Sequence, residues 1–161
     1  MTNYLRTLYF YTDGNCSTKT EMGGWAAICI EDNVVIDTQS GYEPYSTNNR
    51  MKLMALLSAL ENINTIETSQ TKVYVYTCSS YIVSCFQENW YLNWISNGWK
   101  TADRQSVKNQ DLWARIIALY IKAKSRFHLE VIKIDGVNAD KKYSDYVKLL
   151  AIKKRQELEV E

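Results

Sequence analysis

The chain has 161 residues, enough for one domain with a proper core, and its 46% hydrophobic and 23% charged residues are ordinary for a globular protein. Nineteen basic residues face eighteen acidic ones, so the net charge is +1; this excludes a strong whole-body attraction to nucleic acid or membrane, and any polyanion binding must come from a local basic patch. The apolar runs are far short of a membrane span, and the opening MTNYLRTLYF runs straight into a strand pattern rather than a leader, so no membrane partner and a cytoplasmic or nuclear setting are expected.

Tyr4 to Thr12 is rich in aromatic and β-branched residues and stops at Asp13-Gly14, a turn signal, so it reads as a strand. Gly24 to Ile30 is a second strand, Asp32-Asn33 a tight turn and Val34 to Ser40 a third strand, and the short connections predict an antiparallel meander. From Asn48 the period changes. Met51, Met54, Ala55, Leu57, Leu60 and Ile63 follow helical spacing, with Ser46, Thr47 and Asn48 as candidate N-caps. Lys72 to Thr77 reads as a buried strand, and the order strand, long helix, strand implies a parallel crossover. Helical patterns follow at Ser79–Glu88 and Trp90–Ser96, and a clearer one at Asn109–Lys124 has Leu112, Trp113, Ile116, Ile117, Leu119 and Tyr120 on its apolar side. Phe127 to Ile134 alternates as a strand does, and Lys142 to Leu158 is a helix with a charged tail. There is no linker, repeat or low-complexity tract, so residues 1–161 read as a single α/β domain of order β-β-β-α-β-α-α-α-β-α. The expected architecture is a five-stranded mixed β-sheet flanked by helices.

The cysteines are Cys16, Cys29, Cys78 and Cys85; none are paired at C-x-x-C spacing, and there is one histidine, which argues against a zinc site and for reduced thiols.

Several runs carry a resemblance. Tyr11-Thr12-Asp13-Gly14-Asn15-Cys16 with Gly23-Gly24-Trp25 is one, and Thr47-Asn48-Asn49-Arg50-Met51-Lys52-Leu53-Met54-Ala55 is another. Tyr76-Thr77-Cys78-Ser79-Ser80-Tyr81 is a third, and Asn97-Gly98-Trp99-Lys100-Thr101-Ala102-Asp103 with Val107-Lys108-Asn109-Gln110-Asp111-Leu112-Trp113 a fourth. In order and spacing, from about Tyr4 to Ala151, they resemble the type 1 ribonuclease H family. The resemblance implies a ribonuclease H-like fold and four acidic positions that hold two divalent metals, which clamp the attacking and leaving oxygens of a phosphodiester. The first position is Asp13, intact. The second falls on Lys52, where the family has Glu, and the third on Cys78, where it has Asp. The fourth falls on Asp145, and the family's loop histidine falls on Asp135.

An ammonium at Lys52 repels Mg²⁺, and in the first turn of a helix it also opposes the dipole. The expectation is a degenerate site in which the Lys52 amine lies between Asp13 and Asp145 in place of a metal. No cofactor is then expected; Mg²⁺ or Mn²⁺ enters only with residual activity, held by Asp13 and Asp145. Plainer readings stand beside these roles. Asp13 could shape a turn, Asp145 could be a helix-terminal charge, and Cys78 could be a small buried residue. His128 reads as structural or exposed, because no motif links it to Cys78. Asp135 and Asp140 lie in a polar loop as solvated residues and are the only rescue ligands in view.

The resemblance further implies that Asn48 and Asn49 reach the minor groove of an RNA/DNA hybrid, with Asn15 and Cys16 adding backbone contacts and Lys19 a phosphate contact. Ser46 or Thr47 would grip a phosphate, or equally cap the helix. Trp90, Trp94 and Trp99 would build a channel for the DNA strand, or pack the protrusion onto the sheet; Lys100, Arg104 and Lys108 supply cations beside them. Ile95-Ser96-Asn97 is less basic than the family's stretch, so binding should be weak and strongly salt-dependent. Two further cationic stretches are Lys122, Lys124 and Arg126, and Lys153, Lys154 and Arg155; the second, interspersed with Glu157, Glu159 and Glu161, reads as a solvated helix face.

The leading expectation is a catalytically inactive ribonuclease H-like protein that binds RNA/DNA hybrid or double-stranded RNA. A virus or mobile element would be a natural home for such a chain. The alternatives are a weak or altered metal-dependent endoribonuclease, and a structural or protein-interaction module with a protein partner.

Overall fold

The computed structural model describes residues 4–159, and its elements follow the expected order. Strands β1 (Arg6–Cys16), β2 (Gly23–Glu31) and β3 (Val34–Glu43) precede helix α1 (Asn48–Ile63) and strand β4 (Thr71–Thr77). Helices α2 (Ser80–Gln87), α3 (Trp90–Asn97) and α4 (Gln110–Arg126), strand β5 (His128–Lys133) and helix α5 (Lys141–Glu159) complete it. The sheet order is β3-β2-β1-β4-β5, with β1–β2 and β2–β3 antiparallel and β1–β4 and β4–β5 parallel. The hairpin between β2 and β3 turns on two residues, Asp32 (φ 51°) and Asn33 (φ 64°), the side chains that best tolerate the left-handed region.

The expected turn at Asp13-Gly14 is corrected: β1 runs through this pair to Cys16. Gly14 is required for close approach instead, because a Cβ there would collide with the Met51 carbonyl carbon and the Lys52 nitrogen. The start of α1 therefore lies directly against the strand beside Asp13. Thr47 caps α1, its Oγ1 accepting from the Arg50 N–H at 3.1 Å. Lys52 is the fifth residue of the helix, beyond the first turn, so the expected dipole penalty is largely relieved.

One core layer lies between the sheet and α1, α2 and α4, and includes Phe10, Leu56, Leu60, Val75, Trp113 and Ile116. A smaller layer under α5 includes Tyr11, Ile28, Tyr76, Tyr143 and Val147. Arg50 ties three elements together. Its guanidinium donates to Glu43 at the end of β3 (2.7 Å), to Asn109 (3.2 Å) and to both Asp111 oxygens at the start of α4 (3.1 and 2.8 Å). Among the described residues no helix is long and apolar enough to cross a membrane.

Candidate active site and nucleic-acid face

Tyr11 pairs with Tyr76 across the parallel strands β1 and β4, so two residues further on Asp13, within β1, and Cys78, just past the end of β4, come side by side. Lys52 reaches them from α1. Its Nζ donates to Asp13 Oδ1 at 2.9 Å, to the Gly14 carbonyl at 2.9 Å and to Cys78 Sγ at 3.1 Å, and the Cys78 thiol donates to Asp13 Oδ1 at 3.3 Å. An ammonium has three N–H groups, and these three acceptors use them all. The Lys52 and Asp13 side chains are 20% and 13% exposed. Burial works against the Lys52 charge, but the Asp13 carboxylate and Cys78 outweigh it and hold its pKa above that of an ordinary lysine. Burial against this pair, together with the Asp13 charge, raises the Cys78 thiol, which keeps it protonated and a poor nucleophile.

Two expectations are corrected. Lys52 does not lie between Asp13 and Asp145: the Asp145 carboxylate is held by Lys141 at 2.7 Å, one turn earlier on the exposed face of α5. Cys78 is not simply a buried residue either. β4 ends at Thr77, and Cys78 emerges past the strand as an exposed residue whose sulfur belongs to the Lys52–Asp13 network. This donor set does not suit a hard divalent cation: the one carboxylate in it is already neutralised by an ammonium, and its neighbour is a soft thiol. The loop carboxylates have other work. Asp135 Oδ1 accepts from the Val137 and Asn138 N–H groups at 2.7 Å each, and these hold its pKa below the usual range. Asp140 Oδ1 accepts from the Lys142 N–H at the start of α5. His128 is exposed, 3.1 Å from Glu130 and on the outer strand β5.

The expected nucleic-acid residues divide into two groups. Thr47, Asn49 and Lys108 line a trough of ≈ 780 Å³ between the start of α1 and the segment after α3, with Ser79, Tyr81 and Gln105. Trp90 and Lys100 line an adjoining hollow of ≈ 600 Å³ with Tyr81, Asn93 and Asn97. Tyr81 lines both and stacks at a tilt on Trp90 (5.5 Å), yet the sequence reading missed it; its only signal was its place at the end of the Tyr76–Tyr81 run. Lys19 is exposed in the β1–β2 loop. Asn48 is exposed, and its Oδ1 accepts from the Cys16 N–H at 2.6 Å, which leaves only its NH₂ to reach outward.

The second group is largely turned inward, although Trp94 also lines the floor of the hollow. Trp94 is 5% exposed and packs edge-on against Trp113 (5.3 Å), so it supports the protrusion from the core, and Trp99 is half-buried beside it. The Asn15 side chain accepts from Arg155 Nε at 2.6 Å, and Cys16 Sγ donates to the Ser46 carbonyl at 3.2 Å. The expectation of a simply solvated face at Lys153, Lys154 and Arg155 is corrected as well, and the other cationic stretch is engaged too. Arg155 bridges Asn15 and Glu159, and Lys124 and Arg126 donate to carbonyls of Leu129, Asn64 and Ile66.

The model of the RNase H family matches residues 6–142, so Asp145 lies outside the matched range. Ribonuclease H of Chlorobaculum parvum is 37% identical over 153 residues, covering 93% of this chain and 98% of that protein. Ribonuclease H of Prosthecochloris aestuarii is 38% identical over 151 residues, covering 92% and 97%. Among solved structures, LC11-RNase H1 in complex with RNA/DNA hybrid matches with a TM-score of 0.69 at 17% identity, covering 94% of this chain and 98% of that one. LC9-RNase H1, a type 1 RNase H with the type 2 active-site motif, matches with a TM-score of 0.74 at 23% identity, covering 94% and 72%. At these identities the structural likeness shows the fold.

Proposed function

The chain belongs to the ribonuclease H family, and from that membership we propose that it binds RNA/DNA hybrid, or double-stranded RNA of similar shape, without hydrolysing it. The observation that carries this reading is the Lys52 ammonium held by Asp13, the Gly14 carbonyl and Cys78. It occupies the carboxylate on which two-metal hydrolysis would depend. With every N–H engaged, it serves as an internal counter-ion and adds no donor for a phosphate.

Affinity then comes from the trough and the hollow beside it. Asn49 and the Asn48 NH₂ suit a wide minor groove, Trp90 and Tyr81 give stacking surfaces, and Lys19, Lys100 and Lys108 reach phosphates. LC11-RNase H1, of the same fold, has been solved with RNA/DNA hybrid bound. With about three phosphate contacts, affinity should fall by roughly 40-fold between 50 and 200 mM salt.

The test mixes a labelled hybrid duplex with the chain at low salt, with and without Mg²⁺ or Mn²⁺, and reads binding and cleavage from the same samples. Binding without cleavage in every arm is the expected result. The rival reading is a weak or altered metal-dependent endoribonuclease, favoured by 37% identity to a protein named Ribonuclease H. It requires Lys52 to leave Asp13. Metal-dependent cleavage that disappears in Asp13→Asn would establish it and overturn the inactive reading.

A further inference from the structure

The two edges of the sheet are finished differently. At one edge β5 has 6 residues, carries His128, Glu130 and Lys133, and has its Leu129 carbonyl taken up by Lys124 at 2.8 Å. Short length and charge are the usual guards against a foreign strand. At the other edge β3 has 10 residues, contains no Lys, Arg or Pro, and pairs only with β2 among the described residues. No loop of those residues hydrogen-bonds to its outer side. Val34, Ile36 and Tyr42 are 59%, 48% and 49% exposed along it, and Val35 and Thr38 are exposed too. The helices stay back from this edge: α1 packs on β1 and β2, and α5 packs most on β2.

The acids of β3 are already engaged. Asp37 Oδ2 accepts from Asn62 of α1 at 2.5 Å, and Glu43 accepts from Arg50 at 2.7 Å. A bulge then gives the strand a self-matching pattern. Cys29 pairs with Asp37 and Ile30 with Val35, so Ile36 is the extra residue. Val35 therefore lies on the α5 side with Ile30. Tyr42 lies there too, opposite Gly24, where an added Cβ would strike the Ala151 carbonyl of α5. A bulge can itself guard an edge by bending it, but this one sits near one end and leaves Asp37 to Glu43 in regular register. With a second β3 laid antiparallel about a two-fold axis at Gln39, Thr38 falls opposite the second copy's Ser40 and Asp37 opposite its Gly41. Past the bulge, Val35 falls opposite the second copy's Tyr42 and Val34 opposite its Glu43. A β-branched residue meets an aromatic one twice, and no like charges are opposed. An axis at Ser40 would instead set Asp37 against Glu43, and one at Thr38 would push Tyr42 past the end of the partner strand.

The net charge of +1 gives two copies little to repel. A strand of this length runs about 34 Å. The joined edges cover on the order of 1,000 Å² in total, the low end for a specific interface. We infer that the chain forms a weak, reversible homodimer by antiparallel β3–β3 pairing about Gln39, which joins the two 5-stranded sheets into one continuous sheet. β3 contributes no residue to the trough or the hollow, so this dimer stands or falls apart from hybrid binding.

The test is sedimentation equilibrium of the full chain from about 1 µM to about 1 mM, with amide hydrogen exchange read at both ends of that range. A monomer–dimer equilibrium with a Kd on the order of 10–100 µM is expected. The β3 amides should exchange more slowly at high concentration, and the β5 amides should not change. Thr38→Lys, at an exposed position, brings two ammonium groups near the axis and should weaken the dimer at least about tenfold with an unchanged melting temperature. The register has its own test. Val35→Lys and Tyr42→Glu should each weaken the dimer about fivefold or more, and the double variant, which opposes Lys to Glu twice, should return to within about threefold of the parent. A chain that stays monomeric up to about 1 mM would leave the edge to a different partner and overturn the inference. A dimer whose β3 amides gain no protection would overturn it too, as would a double variant no tighter than its single variants. Melting temperatures identify any variant that fails to fold, and β3 exchange in the parent chain then still decides.

Discussion

Replacing Lys52 by Glu reverses the charge at the centre of the degenerate site. The Lys52 Nζ to Asp13 Oδ1 distance is 2.9 Å between side chains that are 20% and 13% exposed. At an effective dielectric constant of about 20 the gross attraction is about 6 kcal/mol, most of it offset by the cost of taking both charges out of water. Lys52→Glu removes the attraction and sets a second carboxylate beside Asp13, so a net loss of about 3 kcal/mol is expected at neutral pH. For a chain of this size that corresponds to a fall in Tm of about 6–12 °C. Two carboxylates can now share a cation. With a Kd of about 1 mM, 10 mM Mg²⁺ returns about 1.4 kcal/mol, or about 3–6 °C. The assay is a set of thermal melts at pH 7.5, with and without Mg²⁺, of the parent chain, Lys52→Glu and Lys52→Glu/Cys78→Asp, followed by hybrid cleavage by the double variant. The parent Tm should not respond to Mg²⁺. A Lys52→Glu variant as stable as the parent without metal, or a parent chain that gains as much from Mg²⁺ as the variant, would refute the internal counter-ion argument.

Thiol alkylation of the native chain should be slow at Cys78 and Cys16, which reagent can reach but which are held protonated, while the buried Cys29 and Cys85, whose thiols are pushed up to about 12 by burial, react only on unfolding; bound hybrid should protect Cys78, as peptide mapping would show. Arg50→Ala, which leaves Asp111 and Glu43 without their shared cation, should cost about 2–3 kcal/mol in urea unfolding with little change in the spectrum of the folded state. Trp90→Ala should weaken hybrid binding about tenfold without altering its salt slope, whereas Lys108→Ala should lower that slope by about 1; equal slopes in both variants would remove Lys108 from the phosphate-contacting set. The raised groups, Lys52, Cys29, Cys85, Tyr76 and Tyr120, bind protons more tightly when folded, so their stabilisation is complete below their unfolded values and is lost as pH climbs from about 9 towards 12. Glu31 and Asp111, lowered by Arg6 and Arg50, act in the opposite sense, and their stabilisation is lost as pH falls below about 4; urea midpoints measured from pH 3 to 11 should trace both limbs.

Features set by neighbours in the sequence were legible without a structure. The Asp32-Asn33 turn, the helical spacing from Asn48, a cap among Ser46, Thr47 and Asn48, and the short apolar strand at Lys72 to Thr77 all depend on residues a few positions apart, and the structure has the turn, the helix and the strand there, with Thr47 as the cap. The family followed from runs of residues in order, and so did the clash between Lys52 and a metal site. The sequence could not say why Gly14 is glycine, because the backbone that approaches it belongs to Met51 and Lys52 on another element. Nor could it choose the partners of Lys52, which lie 39, 38 and 26 positions away, or foresee that Lys141 would hold Asp145 while β4 ended in time to expose Cys78. Nor did it show that the parallel register of β1 and β4 sets Tyr9 beside Tyr74 and Tyr11 beside Tyr76. Local propensity and periodicity act through the chain over a turn or a strand, whereas an ion pair or a cavity wall is fixed by which distant segments meet and in what register, and that is decided only when the core closes.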